Sequence, residues 1–218
     1  MLVGGEWLLT PDRAALHVPT RTAVVADWHL GYDAARRGRG EAVPALGWEP
    51  VRARLHALLM RHSAGRLVVA GDLVESACGA DVAAAVADWL ARQGVGLHLV
   101  PGNHDRGLPA LPRVTVHPDG LRLGGWLVRH AADERRPERQ VVGHVHPVVR
   151  HARLRGQSAC YLIGPRRIVL PAFSDDAAGL NVLRVPAWQT DECHAIVGAE
   201  VLPLGPVAAL RRRLDRFA

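Results

Sequence analysis

An α/β fold with a strand-rich, mixed second half is what the sequence predicts, and three observations predict it. Up to residue 105, short apolar runs alternate with helix-length amphipathic segments, the layout of a sheet covered by helices. From residue 114 onward the apolar runs crowd together with little helix between them. Apolar residues make up 49% of the 218 and aromatic residues only 5%. A core of Val, Leu and Ala is therefore available without disulfides or metal staples. The length fits one domain spanning 1–218, and no Gly/Ser linker or internal repeat divides it.

Residues 7–9 and 14–18 read as two strands around Thr10-Pro11-Asp12, a hairpin signal. Residues 22–26 form a buried apolar strand that stops at Asp27-Trp28-His29. Residues 32–47 are rich in Arg and Gly and read as a loop. Pro50 can open a helix, and 51–62 carry Val51, Leu55, Leu58 and Leu59 at helical spacing. Residues 67–70 are a second buried strand, stopping at Gly71-Asp72. An Ala-rich helix follows at 80–92. A third buried strand, 97–100, stops at Pro101-Gly102-Asn103-His104-Asp105. Short strands are then expected at 114–116, 121–123, 126–129, 140–142, 148–150, 160–163 and 168–170, with a tail helix at 206–217.

Charge and cysteine content narrow the function classes. There are 27 basic and 21 acidic residues, net +6, and every basic residue is arginine. With alanine also abundant, that pattern reflects compositional bias and only mildly favours anionic partners. Twelve histidines invite a search for metal ligands. Cys78, Cys160 and Cys193 match no CxxC spacing and are odd in number, which fits a reducing compartment. The first residues lack a basic stretch followed by an apolar one, and no run reaches membrane-spanning length. A soluble, cytoplasmic protein with no membrane association is expected.

The chemistry-bearing residues collect just past the ends of the apolar strands, where open α/β sheets place ligands. They are Asp27 and His29, Asp72, Asn103 and His104, His130, and His144 and His146. In extended chain, residues two apart point the same way. Asp27 with His29, and His144 with His146 in Gly143-His144-Val145-His146-Pro147, can thus each reach one ion. Asp72 follows a glycine, and its two oxygens can bridge two cations. Asn103 adds an oxygen ligand without charge. Mixed imidazole and carboxylate donors suit a hard-to-borderline metal pair, and two metals about 3.5–4 Å apart form a clamp for phosphoryl transfer. No GxSxG, P-loop, GxGxxG or HExxH motif offers another chemistry. Each short motif alone is a common coincidence; four in order, each at a strand end, are not explained by solvated loops. His17, His56, His62, His98, His117, His151 and His194 lack such a setting and read as surface or packing residues.

The set Asp27-Trp28-His29, Gly71-Asp72, Gly102-Asn103-His104-Asp105, His130 and Gly143-His144-Val145-His146 resembles the calcineurin-like metallophosphoesterase superfamily over residues 24–147. The resemblance implies a sandwich of two mixed β-sheets flanked by helices. It implies one metal held by Asp27, His29, Asp72 and His146, and a second held by Asp72, Asn103, His130 and His144. It gives His104 the role of contacting phosphate oxygens and assisting the leaving group, with Asp105 orienting it. The implied ions are two divalent cations, Mn²⁺ first, with Fe or Zn as other occupants.

A narrower resemblance is to the bacterial ligase-associated phosphodiesterases of the DNA damage response. It rests on DWHLGYDAARRGRGEAVP at 27–44, on LPAF at 170–173 and on the whole length. It implies a nucleic-acid or nucleotide diester as substrate and a DNA ligase and a helicase as partners. Trp28 stands where a smaller aliphatic is usual, and packing is its expected role. Glu75 stands where related nucleases often carry histidine. Arg36, Arg37 and Arg39 follow the first metal motif; they either grip a phosphate backbone or form a solvated loop. A metallophosphatase or pyrophosphatase acting on a small phosphomonoester or a dinucleoside polyphosphate is the alternative function. A non-catalytic scaffold is disfavoured by the complete ligand set. The 72 residues after His146 suffice to complete a second sheet and its helical cover. They do not suffice for the capping domain of larger nucleases, so an open site is expected.

Overall fold

The computed structural model describes residues 1–152, 154 and 156–216. Its first half runs β1 (Leu2–Val3), β2 (Trp7–Leu9), β3 (Ala15–His17), β4 (Thr22–Val25), α1 (Tyr32–Gly38), α2 (Glu49–His62), β5 (Arg66–Ala70), α3 (Ala80–Arg92), β6 (Gly96–Val100) and β7 (Val114–Val116). These seven strands lie in one sheet in sequence order. Pairing is antiparallel as far as β4 and parallel from β4 to β7. The two central strands, β4 and β5, are mostly apolar because both their faces are covered: Ala23, Val24, Val25 and Leu67 to Ala70 are all fully buried.

The second half supplies β8 (Leu121–Leu123), β9 (Trp126–Arg129), β10 (Arg139–Val142), β11 (Pro147–Arg150), β12 (Gln157–Gly164), β13 (Arg167–Val169), β14 (Leu180–Asn181), β15 (Glu192–Val197), β16 (Glu200–Pro206) and α4 (Val207–Asp215). This sheet is also mixed. β9, β10 and β13 are parallel, and the long β12 runs antiparallel to β11, β13 and β15.

Three apolar layers hold the sheets and helices together. α2 buries Val51, Leu55, Leu58 and Leu59, and α3 buries Ala83, Val86, Ala87 and Leu90, against the outer face of the first sheet. That stripe recurs every three or four residues, as a core-facing helix requires. Between the sheets, Trp7, Val24 and Val68 meet Trp126, Val141 and Tyr161. The buried Tyr161 hydroxyl donates to the carbonyls of Thr10 at 2.7 Å and Ala14 at 3.1 Å, tying the second sheet to the first hairpin. A hydroxyl left without a partner there would cost about 1–3 kcal/mol. Val207 and Leu210 of α4 cover the outer face of the second sheet with Trp188 and Leu162.

Three expectations change. Residues 32–47 are not all loop, since Tyr32–Gly38 is helical. A helix this short does not stand on propensity alone. Its charged side chains pair as Arg37–Asp33 one turn apart and Arg36–Glu41, exposed contacts that add little each. β1, β14, β15 and β16 were not expected; Pro203, Gly205 and Pro206 disguise the last of them. Proline fits there because β16 pairs only with β15 and lies at a sheet edge. The tail helix starts at Val207 rather than 206, and its expected end at 217 lies outside the described residues. Trp28 does pack: it is 2% exposed, with its ring 5.0 Å from that of Phe173. Among the described residues no helix is long and apolar enough to cross a membrane.

Candidate metal centre

The loops after β4 and β5 continue the sheet by main-chain bonding. The amides of Trp28 and His29 both donate to the Asp72 carbonyl at 2.9 Å, and Leu30 donates to Leu73 at 2.9 Å. Asp27 and Asp72 are thereby placed side by side, almost completely buried. Glycines make room for both carboxylates. A Cβ on Gly102 would run into the Asp72 carboxylate, and one on Gly143 would strike Ala26 and the Asp27 carboxylate.

Asp27, His29, Asp72, His144 and His146 all adopt left-handed backbone, with φ between 46° and 74°. Such non-glycine residues cost about 1–3 kcal/mol each and cluster at functional sites. This corrects the extended-chain reading of the two x-His spacings. Asp27 and His29 do converge on one cluster, but through left-handed turns. His144 and His146 do not share a cluster at all.

Two donor groups result. Asp27, His29 and His146 offer ligand atoms that all lie within 4.8 Å of one another, and so do Asp72, His130 and His144. Asn103 joins the second group, its Oδ1 2.9 Å from His130 Nε2. That same nitrogen lies 2.9 Å from His144 Nδ1 and 3.5 Å from Asp72 Oδ2. The Asp27 carboxylate accepts the His144 amide at 2.9–3.0 Å, so it also links the groups.

The donor set fits divalent cations. The Nε2 atoms of His29 and His146 are buried and have no hydrogen-bond partner, a costly arrangement unless a cation takes their lone pairs. The ring tautomers agree. His29 Nδ1 lies 2.9 Å from the Glu75 carboxylate, and His130 Nδ1 lies 3.3 Å from the Ala70 carbonyl. With the proton on Nδ1 in each, Nε2 carries the lone pair a metal needs.

Glu75 is the residue that sequence reasoning undervalued, noted only as a departure from a nuclease pattern. Its carboxylate holds His29 and stands 3.6 Å from His104 Nδ1, while its carbonyl lies 2.9 Å from the same nitrogen. His29, Glu75 and His104 form a third group of close donors. The Asp105 carboxylate makes its bonds elsewhere, accepting the Gly102 amide at 2.8 Å and the Val74 amide at 3.1 Å. It fixes the loop that carries Asn103 and His104, and Glu75 takes the contact with the His104 ring. Second-sphere partners of metal-bound histidine are typically worth about 10- to 100-fold in affinity. Glu75→Ala is accordingly expected to weaken Mn²⁺ binding by about that factor, with partial recovery in Glu75→Gln, as measured by direct metal titration.

The electrostatics follow from burial and these contacts. Burial pulls His29 down, against the opposing pull of Asp72, Asp27 and Glu75. Burial also acts to lower His104, but the Glu75 carbonyl and the charges of Asp72, Glu75 and Asp105 outweigh it and raise the group. Asp105 is raised by burial, and by the Asp72 charge, despite the backbone amides of Gly102, Val74 and Asp72.

The three arginines after the first motif are placed differently from one another. Arg36 clamps Glu41, and Arg37 bonds Asp33 and the Pro44 carbonyl, both at 3.1 Å. Arg39 is exposed and makes no ion pair among the described residues.

A solved structure, the nuclease MPE of Pseudomonas putida, superposes with a TM-score of 0.76 at 27% sequence identity, covering 94% of this chain and 98% of that one. No curated protein matches the sequence. The fold and the paired donor clusters are those of a metal-dependent hydrolase of the phosphoesterase and nuclease type. Residues 20–132, just over half of the chain and the span that carries Asp27, His29, Asp72, Asn103 and His130, match the calcineurin-like phosphoesterase family model, and the chain belongs to that family.

Proposed function

We propose that the protein is a dinuclear-metal phosphodiesterase acting on nucleic-acid or nucleotide diesters, in DNA repair beside a ligase and a helicase. The observation that carries this reading is the pair of adjoining donor clusters with two buried histidine nitrogens that make no hydrogen bond. One cation would be held by Asp27, His29, Asp72 and His146, the other by Asp72, Asn103, His130 and His144, with Mn²⁺ first and Fe or Zn as alternatives. Bound there, the pair supplies charge neutralisation on a phosphate and lowers the pKa of water. The protein's own part is orientation and proton handling. Glu75 fixes the His29 ring, and the Glu75 carbonyl keeps a proton on His104 Nδ1. The other His104 nitrogen is then free to meet the phosphate or the departing oxygen. The nuclease likeness supports a diester substrate, because it spans nearly the whole of both chains.

The segment after His146 supports a small or unpaired substrate. Pro147 to Pro206 goes into six strands of the second sheet, and α4 covers that sheet's outer face. Among the described residues of this segment none builds a separate unit to bend or melt duplex DNA, which costs several kcal/mol. The test is a rate comparison of the Mn²⁺-loaded protein on bis-p-nitrophenyl phosphate, p-nitrophenyl phosphate, a single-stranded oligonucleotide and a blunt duplex. The diester and the single strand are expected to be the faster of each pair, with all hydrolysis lost on chelation. Faster cleavage of the monoester would favour a phosphatase instead.

Arg36 lines the cavity that also contains His29, and we assign Arg36, Arg37 and Arg39 a part in attracting the anionic strand. Arg36 and Arg37 are already neutralised by Glu41 and Asp33, so Arg39 carries the free charge. Arg39→Ala is expected to flatten the log–log salt dependence of single-strand binding by about 0.7, the value of one phosphate contact. An unchanged slope would make this arginine ordinary solvated surface.

A further inference from the structure

A cavity of about 370 Å³ opens beside the metal centre, beneath the segment that joins α1 to α2. Its volume falls in the range of small-molecule sites, about 300–1,000 Å³. It is continuous with the centre. His29, Tyr32, Ser174 and Asp176 line both this cavity and the adjoining cleft that contains Glu75 and His146.

The walls are largely apolar and aromatic: Tyr32, Val43, Leu46 and Trp48. Leu46 leaves 57% of its surface open, more than a residue with a purely packing role would. Trp48 is braced by Trp89, with ring centroids 5.3 Å apart at 66°. Tyr32 carries the Arg36 guanidinium 5.7 Å from its ring centroid. The wall is also held in place: the Asp33 carboxylate accepts the Gly47 amide at 3.2 Å and Arg37 at 3.1 Å.

The charged rim excludes some occupants. Asp175 already pairs with Arg13 and Arg54. The exposed Asp176 carboxylate makes no hydrogen bond or ion pair with a described residue and stands where cavity and cleft meet. An acidic rim opposes a second phosphate. Flat aromatic walls with an open acceptor at the mouth suit a planar, uncharged group that carries N–H donors.

We propose that this cavity takes the nucleobase of the nucleotide whose phosphate lies at the metal centre, stacked on Trp48 and Tyr32 with its N–H edge toward Asp176. The proposal rests on the phosphodiesterase reading and narrows its substrate. A base inside a duplex cannot enter without leaving its stack, so the substrate is a nucleotide with an unpaired base, at a strand end, a flap or in a single strand.

The experiment compares kcat/KM of the Mn²⁺-loaded protein on three p-nitrophenyl diesters, whose second ester is methyl, hexyl or 5′-thymidyl. Binding of adenosine, which has no phosphate, to the metal-free protein is measured separately by tryptophan fluorescence. The thymidyl ester is expected to exceed the methyl ester by about 5- to 150-fold, the range of one stacked base. That ratio and adenosine binding are both expected to fall in Trp48→Leu. They are expected to fall also in Leu46→Asp, whose exposed position leaves folding intact. Equal rates on methyl and thymidyl esters overturn the base site and leave the phosphodiesterase reading standing. A hexyl ester that matches the thymidyl one overturns base recognition in favour of an aliphatic substrate. Hydrolysis of none of the three overturns the phosphodiesterase reading; adenosine binding that is absent, or unmoved by both variants, overturns the base site by itself.

Discussion

Asp72→Asn is expected to strip the centre of at least one of its two ions and to abolish hydrolysis. Asp72 is 3% exposed, and its Oδ2 faces His130 Nε2 at 3.5 Å while its Oδ1 accepts the His104 amide at 2.9 Å. It is the one residue proposed to touch both cations. Asparagine keeps the shape, one oxygen and the tolerance for a φ of 53°; what it removes is the charge. Bound metal supplies several kcal/mol of transition-state stabilisation, so losing one ion lowers turnover by on the order of 10³-fold or more. Elemental analysis beside the rate decides the matter. Two ions per chain with normal turnover would show that Asp72 does not bridge.

His104→Ala is expected to lower turnover by about 10²- to 10⁴-fold, the usual contribution of a positioned acid–base group, with both metals retained. The substitution spares the rest of the loop. The amide that bonds Asp72 belongs to the backbone and survives in alanine, and Asp105 still holds Gly102 and Val74. His104 also lies within ligand distance of His29 and Glu75, so metal content is the informative control. If the variant loses a metal while His130→Ala does not, the two histidines have exchanged roles.

The sequence made the central strands legible because each is an uninterrupted apolar run ending at a polar motif. Residues 22–26, 67–70 and 97–100 could be read almost to the residue, and so could the α2 stripe and the extent of α3. What stayed hidden depends on contacts between distant residues or on proline. α1 carries the pairs Arg37–Asp33 and Arg36–Glu41, which a reading of Arg and Gly content passes over. β16 carries two prolines that are tolerated only because it is an edge.

At the centre, residue types and their order pointed to a metal pair, and the two clusters contain Asp27, His29, Asp72, His130, His144 and His146. The geometry was less legible. The spacing in Gly143-His144-Val145-His146 suggested one shared ion, while the family resemblance implied that its two histidines serve different metals; the two clusters divide them as the resemblance implied, through left-handed φ values rather than spacing. Glu75 was visible only as an unexpected residue; its grip on His29 and His104 exists only once the loops after β5 and β4 are brought together.

The left-handed ligand residues carry a further consequence, for adaptation of the protein to heat. Glycine accepts positive φ without steric cost and asparagine tolerates it, whereas histidine at 29, 144 and 146 is held there by its surroundings. Selection for a higher melting temperature alone would therefore drift these three positions toward glycine or asparagine and dismantle the donor clusters. Thermal hardening that spares the centre has to come from elsewhere, such as the exposed faces of α2 and α4 or the β15–β16 edge. On the proposed metal assignment, the three histidines mark the places where stability and activity demand different residues.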